Sequence, residues 1–337
     1  MQTRESNFEC LRIIAMFLVL VVHATFIGTG FPNYFETIQS PVSSFCRFGF
    51  GSISIVCVNL FVLISGWFGI HFHLKKFSSF ILTAVFYALL VYTALLLLYP
   101  HKYLNWGYAS TVFMLNLNDY WFIKSYIILY IFTPILNTYI ENSEEKKLRQ
   151  TLIAFYILQT IYAWLSINGA AEFQGGYSAL SFMGLYLLAQ YFHRYPGITK
   201  NWSAKHGIGL FFGIALFNAS LGFLVTHLGV PIAGRIFTYT NPLVIIQSLA
   251  LLIGFSKFSF QNKLINWVAS SCLAVYLLHA NELILRPYYG TTIKNWYLQE
   301  NHSTFLFHTV LFISLIFIVS ILIDKIRIRL FQMMRLC

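Results

Sequence analysis

The stretch FECLRIIAMFLVLVVHATFI, residues 8–27, decides the fold class of this chain. It is long enough to cross a bilayer as a helix, which takes about 20 mainly apolar residues. Further stretches of the same character follow, so the sequence predicts an all-α polytopic integral membrane protein with about ten transmembrane helices. The predicted spans are 8–27, 52–70, 77–99, 121–140, 148–167, 177–193, 207–228, 239–256, 268–286 and 304–323.

The composition agrees with this assignment. Of 337 residues, 58% are hydrophobic and 10% are charged, whereas a typical soluble domain has about 25% charged residues. A chain of soluble domains is excluded, because so much exposed apolar surface drives association. The formal net charge of +11 is typical of membrane proteins that keep Lys and Arg in cytoplasmic loops, so the lipid bilayer and not nucleic acid is the expected partner.

The distribution of Lys and Arg predicts that both termini are cytoplasmic, because cytoplasmic loops carry the excess of these residues. Two long outer loops are predicted, at 28–51 and 287–303. With the N-terminus inside, the inner set is Arg4, Lys75, Lys76, Lys146, Lys147, Arg149, Arg194, Lys200, Lys205, Lys257, Lys263, Lys325, Arg327, Arg329 and Arg335. The outer set is Arg47, Lys102, Arg235, Arg286 and Lys294, while Arg12 and Lys124 lie within spans.

Arg12 and His23 interrupt the first span on a single helix face. They are eleven residues apart, which at 100° per residue is three turns plus about 20°, with an axial separation of about 16 Å. Ionisable groups are costly inside a bilayer, so the pair indicates a site for a long anionic ligand that enters from the cytoplasm. The structural alternative is an arginine that reaches lipid headgroups and a histidine that hydrogen-bonds between helices.

Two further groups of polar residues lie at predicted span ends. Lys75 and Lys76 form a basic turn after the second span, interpreted either as a contact to the membrane surface or as a site for a phosphate-bearing cofactor. Asp119 and Lys124 flank Trp121 at the outer start of the fourth span, and all three are candidate substrate-binding residues.

His279, Glu282 and Arg286 follow at i, i+3 and i+7 and are predicted to share one face of the ninth span. His279 and Glu282 are candidate substrate contacts, and an ion pair between Glu282 and Arg286 is expected. No metal site is predicted, since no motif supplies further ligands and the five cysteines form no CxxC pair. The motifs of nucleophile elbows, zinc proteases and nucleotide-binding loops are absent from the sequence.

Four segments resemble, in order, the membrane proteins of acyltransferase family 3. Residues 9–23 have the Arg-x10-His spacing of that family's first span, and residues 59–67, NLFVLISGW, resemble its FFxxSGY-like segment. Residues 121–134 are similar to its fourth-span block, and residues 274–279, AVYLLH, to its late Y-L-x-H block. The resemblance extends over nearly the whole chain and includes the ten-span layout.

The resemblance implies an enzyme of the cell membrane, in a bacterial cytoplasmic membrane, that takes acetyl groups from cytosolic acetyl-CoA. The acceptor would be a hydroxyl of a cell-surface or exported polysaccharide or glycolipid. His23 would be the essential histidine and Arg12 its partner, with acetyl-CoA bound by Arg12, Lys75 and Lys76. That family often has arginines at this turn, and lysine lacks their bidentate grip on phosphate, which leaves the role of the two lysines open.

Larger members of the family append an outer catalytic domain. This chain ends fourteen residues after its last predicted span, so residues 1–337 are expected to form a single membrane domain. For the chemistry, neutral imidazole has a pKa near 6.5, which suits a base that takes a sugar hydroxyl proton as the oxygen attacks a thioester. His23 is the predicted base, and an acyl-histidine intermediate is the variant mechanism.

Two other function classes stay open. A polysaccharide exporter of the same layout is the first alternative. The second, an unrelated secondary transporter, is disfavoured because Pro134 and Pro242 do not occupy matching positions of inverted repeats.

Overall fold

The computed structural model of the chain describes residues 5–116, 119–166 and 170–333, so the predicted inner residues Arg4 and Arg335 lie outside the described residues. The structure is 82% helical, and its described part contains no strand. The helices are α1 (Ser6–His23), α2 (Tyr34–Gln39), α3 (Pro41–Ser54), α4 (Cys57–Phe68), α5 (Leu74–Leu98), α6 (Pro100–Tyr103), α7 (Trp106–Ala109), α8 (Trp121–Glu141), α9 (Glu145–Gln159), α10 (Ala179–Arg194), α11 (Ala204–His227), α12 (Ala233–Ile236), α13 (Pro242–Ser256), α14 (Lys263–Ala269), α15 (Cys272–His279), α16 (Glu282–Ile284), α17 (Thr291–Gln299) and α18 (His302–Met333). The π-helical segments are Ala24–Thr29, Thr160–Leu165 and Leu285–Gly290, and the 3-10 segments are Ser110–Phe113, Gln174–Gly176 and Gly197–Asn201.

Within the described residues, six helical segments are long and apolar enough to cross a membrane. A bent pair, Lys263–His279 with Glu282–Gln299, makes a seventh if it is counted as one span. A helix lies over each of the ten predicted ranges, but the remaining helices are shorter or less apolar. The number of ten spans and the cytoplasmic position of the termini therefore stay predictions. The six segments are Ser6–Thr29, Pro41–Phe68, Leu74–Leu98, Trp121–Glu141, Ala204–His227 and His302–Met333.

Both predicted outer loops contain helices. The range 28–51 includes α2 and most of α3, and α3 continues through Ile55 and Val56 into α4 as one 28-residue segment. The polar and small residues of α3 lower its hydropathy, so the predicted span began too late. The range 287–303 contains part of a π-helical turn and α17. The polar residues of α17 likewise lower the hydropathy of this range, so the sequence predicted a loop there.

α1 lies at the centre of the structure, in contact with α3, α4, α13, α14, α15 and α18. Its core-facing residues are buried at intervals of three, four and seven, as expected for one stripe of a helix. This stripe consists of Phe8, Leu11, Ala15 and Val22, and Met16, Val19 and Leu20 of the same helix are buried as well. After His23 the helix widens into the π-helical turn Ala24–Thr29, a feature that is frequent at functional sites.

Gly66 allows α4 and α10 to approach closely. A Cβ atom at this position would lie 2.8 Å from the Tyr186 carbonyl oxygen and 2.9 Å from the Ala189 Cβ. Small residues at such contacts are typical of helices that pack in a membrane, where backbone proximity gives van der Waals stabilisation.

The chain bends by 57° between α15 and α16. Asn281 stabilises the bend, because its Oδ1 accepts the Leu283 N–H at 2.9 Å and its Nδ2 donates to the Tyr120 hydroxyl at 2.8 Å. His279 is therefore the last residue of one helix, and Glu282 begins the next. The prediction that His279, Glu282 and Arg286 lie on one continuous helix is wrong for this reason.

Candidate active site

A cavity of about 790 Å³ lies between α1, α4, α5, α8 and the segment from α14 to α16. α1 contributes Arg12, Met16, Val19 and His23 to its wall, at the four–three–four spacing of one helix face. Arg12 and His23 thus face the same cavity, in line with their eleven-residue separation in the sequence.

Arg12 forms an ion pair with Glu9 one helical turn earlier, with 2.5 Å between Nη1 and Oε1. The Glu9 side chain is 6% exposed and the Arg12 side chain 32%, so the carboxylate lies in the core and the guanidinium reaches the cavity. The Glu9 oxygen accepts from only one nitrogen of the Arg12 guanidinium. The other N–H groups of the guanidinium can bind an anionic ligand. Glu9 was missing from the predicted site, although an acid at i−3 from an intramembrane arginine is a recognisable signal.

His23 contacts His279 across the interface of α1 and α15. The distance between His23 Nδ1 and His279 Nε2 is 3.0 Å, and that between His279 Nδ1 and the Val275 carbonyl oxygen is 2.5 Å. His279 is 2% exposed and lies behind His23, whose ring borders the cavity. Within the described part of the chain, His23 Nε2 makes no hydrogen bond to protein, so it is accessible to a substrate.

Aromatic side chains line the cavity toward the start of α8. The ring centroids of Trp121 and Tyr177 are 4.3 Å apart, and those of Tyr177 and Tyr239 are 5.2 Å apart. Glu282 and Arg286 also line the wall, and they form the predicted ion pair with 3.5 Å between oxygen and nitrogen.

Lys75 and Lys76 are exposed at the start of α5 and do not line the cavity wall. The turn before them is attached to the wall through Tyr130, whose hydroxyl donates to the His71 carbonyl oxygen at 3.3 Å and accepts the His73 N–H at 3.4 Å. The two lysines therefore stand outside the cavity, next to the part of its wall that Tyr130 forms.

Asp119 and Lys124 stabilise the loop that precedes α8. The Asp119 carboxylate accepts the backbone N–H of Asn116 at 3.0 Å and its side-chain amide at 2.9 Å. Lys124 Nζ donates to the Asn116 carbonyl oxygen at 2.6 Å. Neither residue lines the cavity, whereas Trp121 between them does.

No three His, Cys, Asp or Glu side chains come together to hold a metal ion in residues 5–116, 119–166 and 170–333. His23 and His279 contact each other through ring nitrogens 3.0 Å apart, which is a hydrogen-bond distance.

Helices long enough to cross a membrane enclose a cavity that contains the Arg12 guanidinium and an accessible His23 ring nitrogen. The chain is therefore a membrane protein with a polar site inside its helical bundle. Residues 5–325 match the family model described as an acyltransferase domain, so the chain belongs to the acyltransferase 3 family and is a membrane acyltransferase. The resemblance stated from the four sequence segments is thereby confirmed. Comparison of the chain with curated proteins and with solved structures gives no match.

Proposed function

We propose that the protein transfers an acetyl group from cytoplasmic acetyl-CoA to a hydroxyl of a cell-surface or exported polysaccharide or glycolipid. The proposal is carried by the cavity into which Arg12 and His23 project from one face of α1. A guanidinium suits a phosphate or carbonyl oxygen of the donor. A neutral imidazole suits proton transfer from a hydroxyl at neutral pH.

The donor enters at the Arg12 end. Lys75 and Lys76 attract the nucleotide phosphates of CoA from the exposed turn next to Tyr130, and Arg12 binds a phosphate or carbonyl oxygen inside the cavity. The axial separation of about 16 Å between Arg12 and His23 accommodates the flexible arm that carries the thioester. The acetyl carbon then lies beside His23.

His23 acts as the general base of the transfer. Its Nε2 takes the hydroxyl proton while the hydroxyl oxygen attacks the thioester carbonyl carbon. A C–O bond forms, the C–S bond breaks, and the proton passes from His23 to the CoA thiolate. In the variant path, Nε2 attacks the carbonyl carbon first, the C–S bond breaks, and the CoA thiolate leaves behind an acyl-histidine. The acceptor hydroxyl oxygen then attacks the acyl carbon, the C–N bond to His23 breaks, and the hydroxyl proton passes to the thiolate. The same atom, Nε2, is required in both paths.

The acceptor binds at the aromatic end. The faces of Trp121, Tyr177 and Tyr239 provide apolar surfaces against which a sugar ring packs, and their polar edges hydrogen-bond to its hydroxyls. Glu282 and Arg286 add charged groups at the same wall. This arrangement brings the acceptor hydroxyl and the donor thioester together at His23.

Membrane vesicles that contain the protein test the proposal with radiolabelled acetyl-CoA and surface glycan extracted from cells that lack the gene. We expect wild-type vesicles to consume the donor and label the glycan, and His23→Ala vesicles with the same protein content to do neither. Unchanged donor in the wild-type sample would support the exporter and refute the proposal. Labelling by His23→Ala would refute the assignment of the base.

A further inference from the structure

Three polar groups form a continuous hydrogen-bonded series behind the cavity. It runs from the Val275 carbonyl oxygen through the two ring nitrogens of His279 to Nδ1 of His23, over distances of 2.5 and 3.0 Å. The two histidines are 256 residues apart in the sequence, and the bend after α15 brings them together.

The series determines which nitrogen of each ring carries a proton. A carbonyl oxygen only accepts, so His279 Nδ1 carries the proton that Val275 receives. In neutral His279 the other nitrogen, Nε2, is then an acceptor, and His23 Nδ1 must be the donor. Neutral His23 therefore keeps its lone pair on Nε2, the nitrogen that a substrate reaches from the cavity.

The surroundings of His279 favour its neutral form. Its ring is buried next to the rings of Tyr276 and Tyr289, with centroid distances of 6.4 and 5.7 Å. The Tyr289 hydroxyl donates to the Leu20 carbonyl oxygen, and no carboxylate contacts His279 within the described residues. A buried imidazolium without an acid partner is costly, so the proton arrangement with two neutral rings is the stable one.

We propose that His279 is a positioning residue that fixes the tautomer and the ring orientation of His23. The proposal rests on the proposed role of His23 as the base of acyl transfer. Without an acceptor for its Nδ1–H, His23 also populates the tautomer with the proton on Nε2, which cannot take a proton from the acceptor hydroxyl. His279 itself does not line the cavity.

Three variants of His279 separate this role from simple helix packing. In His279→Gln the side-chain amide takes the place of Nε2 and its oxygen can accept from His23. In His279→Asn the shorter amide takes the place of Nδ1, so it can donate to Val275 but does not reach His23. His279→Leu fills the volume and makes neither hydrogen bond.

The kinetics are measured in vesicles with radiolabelled acetyl-CoA and surface glycan from cells that lack the gene. We expect kcat of His279→Gln to stay within about tenfold of wild type, and kcat of His279→Asn and His279→Leu to fall about 100-fold or more, the range of general-base catalysis. The KM for acetyl-CoA should change by less than about twofold in all three, because His279 does not contact the donor in this scheme.

A kcat within about twofold of wild type for His279→Asn or His279→Leu, with His23→Ala inactive, would overturn the role of His279 and leave the base assignment intact. An active His23→Ala protein would instead overturn the proposed function. Equal losses in all three His279 variants, accompanied by equal falls in thermal midpoint, would show a packing role and overturn the proposal. A kcat within about tenfold of wild type for His279→Gln, together with a loss of about 100-fold or more for His279→Asn, supports the proposal.

Discussion

Arg12 and His23 are polar residues on a helix face that is otherwise apolar, with Met16 and Val19 between them. Each has a partner that the bilayer cannot provide: Glu9 for the guanidinium and His279 for the imidazole. These partners hold the two side chains in place and leave one accessible edge on each of them. Such pairing is how ionisable groups persist inside a membrane protein.

We expect the double variant Glu9→Gln/Arg12→Gln to raise the KM for acetyl-CoA about 10- to 100-fold, since a hydrogen bond to a charged group contributes about 1.5–3 kcal/mol. Replacing both residues avoids leaving a buried carboxylate without its partner, which would destabilise the fold. The measurement is a donor titration in vesicles that contain the variant.

Arg329→Gln is the matched control, because Arg329 is exposed on α18 and does not line the cavity. Its KM for acetyl-CoA should equal that of wild type. If the double variant also kept the wild-type KM, Arg12 would not be a donor-binding residue.

At the scale of the elements, helical periodicity explains what was predictable. The shared face of Arg12 and His23 and the positions of the apolar helices follow from spacing within one segment. The contact between His23 and His279 was not predictable, since it joins residues 256 positions apart through a 57° bend. α3 was not predicted for a different reason. Its arginine, Arg47, and its serines are typical of a polar loop, but Arg47 is buried and hydrogen-bonded in the structure.

We expect Gly66→Ala to lower the thermal midpoint of the purified protein, because the added methyl would meet the backbone of Tyr186 at 2.8 Å. Overpacking of this kind costs about 1–3 kcal/mol, and backbone atoms cannot move aside as a side-chain end can. A thermal unfolding curve in detergent measures the effect.

Gly213→Ala is its control. A Cβ atom at Gly213 would meet nothing within 4 Å, so the substitution should leave the midpoint unchanged or raise it, as alanine favours a helix. Equal thermal midpoints for Gly66→Ala and Gly213→Ala would mean that the contact between α4 and α10 does not require a glycine at position 66.

At the scale of the whole molecule, a polar cluster joins distant parts of the chain. Arg47 of α3 donates to the Glu36 carboxylate at 2.5 Å and to the Tyr297 hydroxyl of α17 at 2.7 Å. It also donates to the carbonyl oxygens of Thr29 and Gly30, at 2.9 and 2.8 Å. The cluster therefore fixes the end of the helical segment that carries His23 against three other helices, α2, α3 and α17.

Acid should weaken this cluster. Partial burial raises the pKa of the Glu36 carboxyl, but hydrogen bonds from the Asn33 backbone and Arg47, with the charge of Arg47, outweigh it and hold the pKa below the ordinary 4.5. A lowered folded-state pKa stabilises the protein above the ordinary value, and this stabilisation is lost as the pH falls through the folded-state pKa. We therefore expect the thermal midpoint to fall on acidification below about pH 4.5.

Glu36→Gln provides the comparison, because it cannot titrate. Its midpoint should be lower than that of wild type at pH 7, and the difference should shrink as the pH falls. A difference that stayed constant between pH 7 and pH 3 would contradict the contribution of Glu36 to stability.

The most direct measurement concerns His23 in cells. Cells that lack the gene would receive wild-type protein or His23→Gln at equal membrane levels, and the O-acetyl signals of their surface glycan would be compared by NMR. Transfer through His23 Nε2 predicts that wild type restores an acetyl signal and that His23→Gln does not. An acetyl signal of wild-type intensity in the His23→Gln cells would contradict the role of His23 as the base.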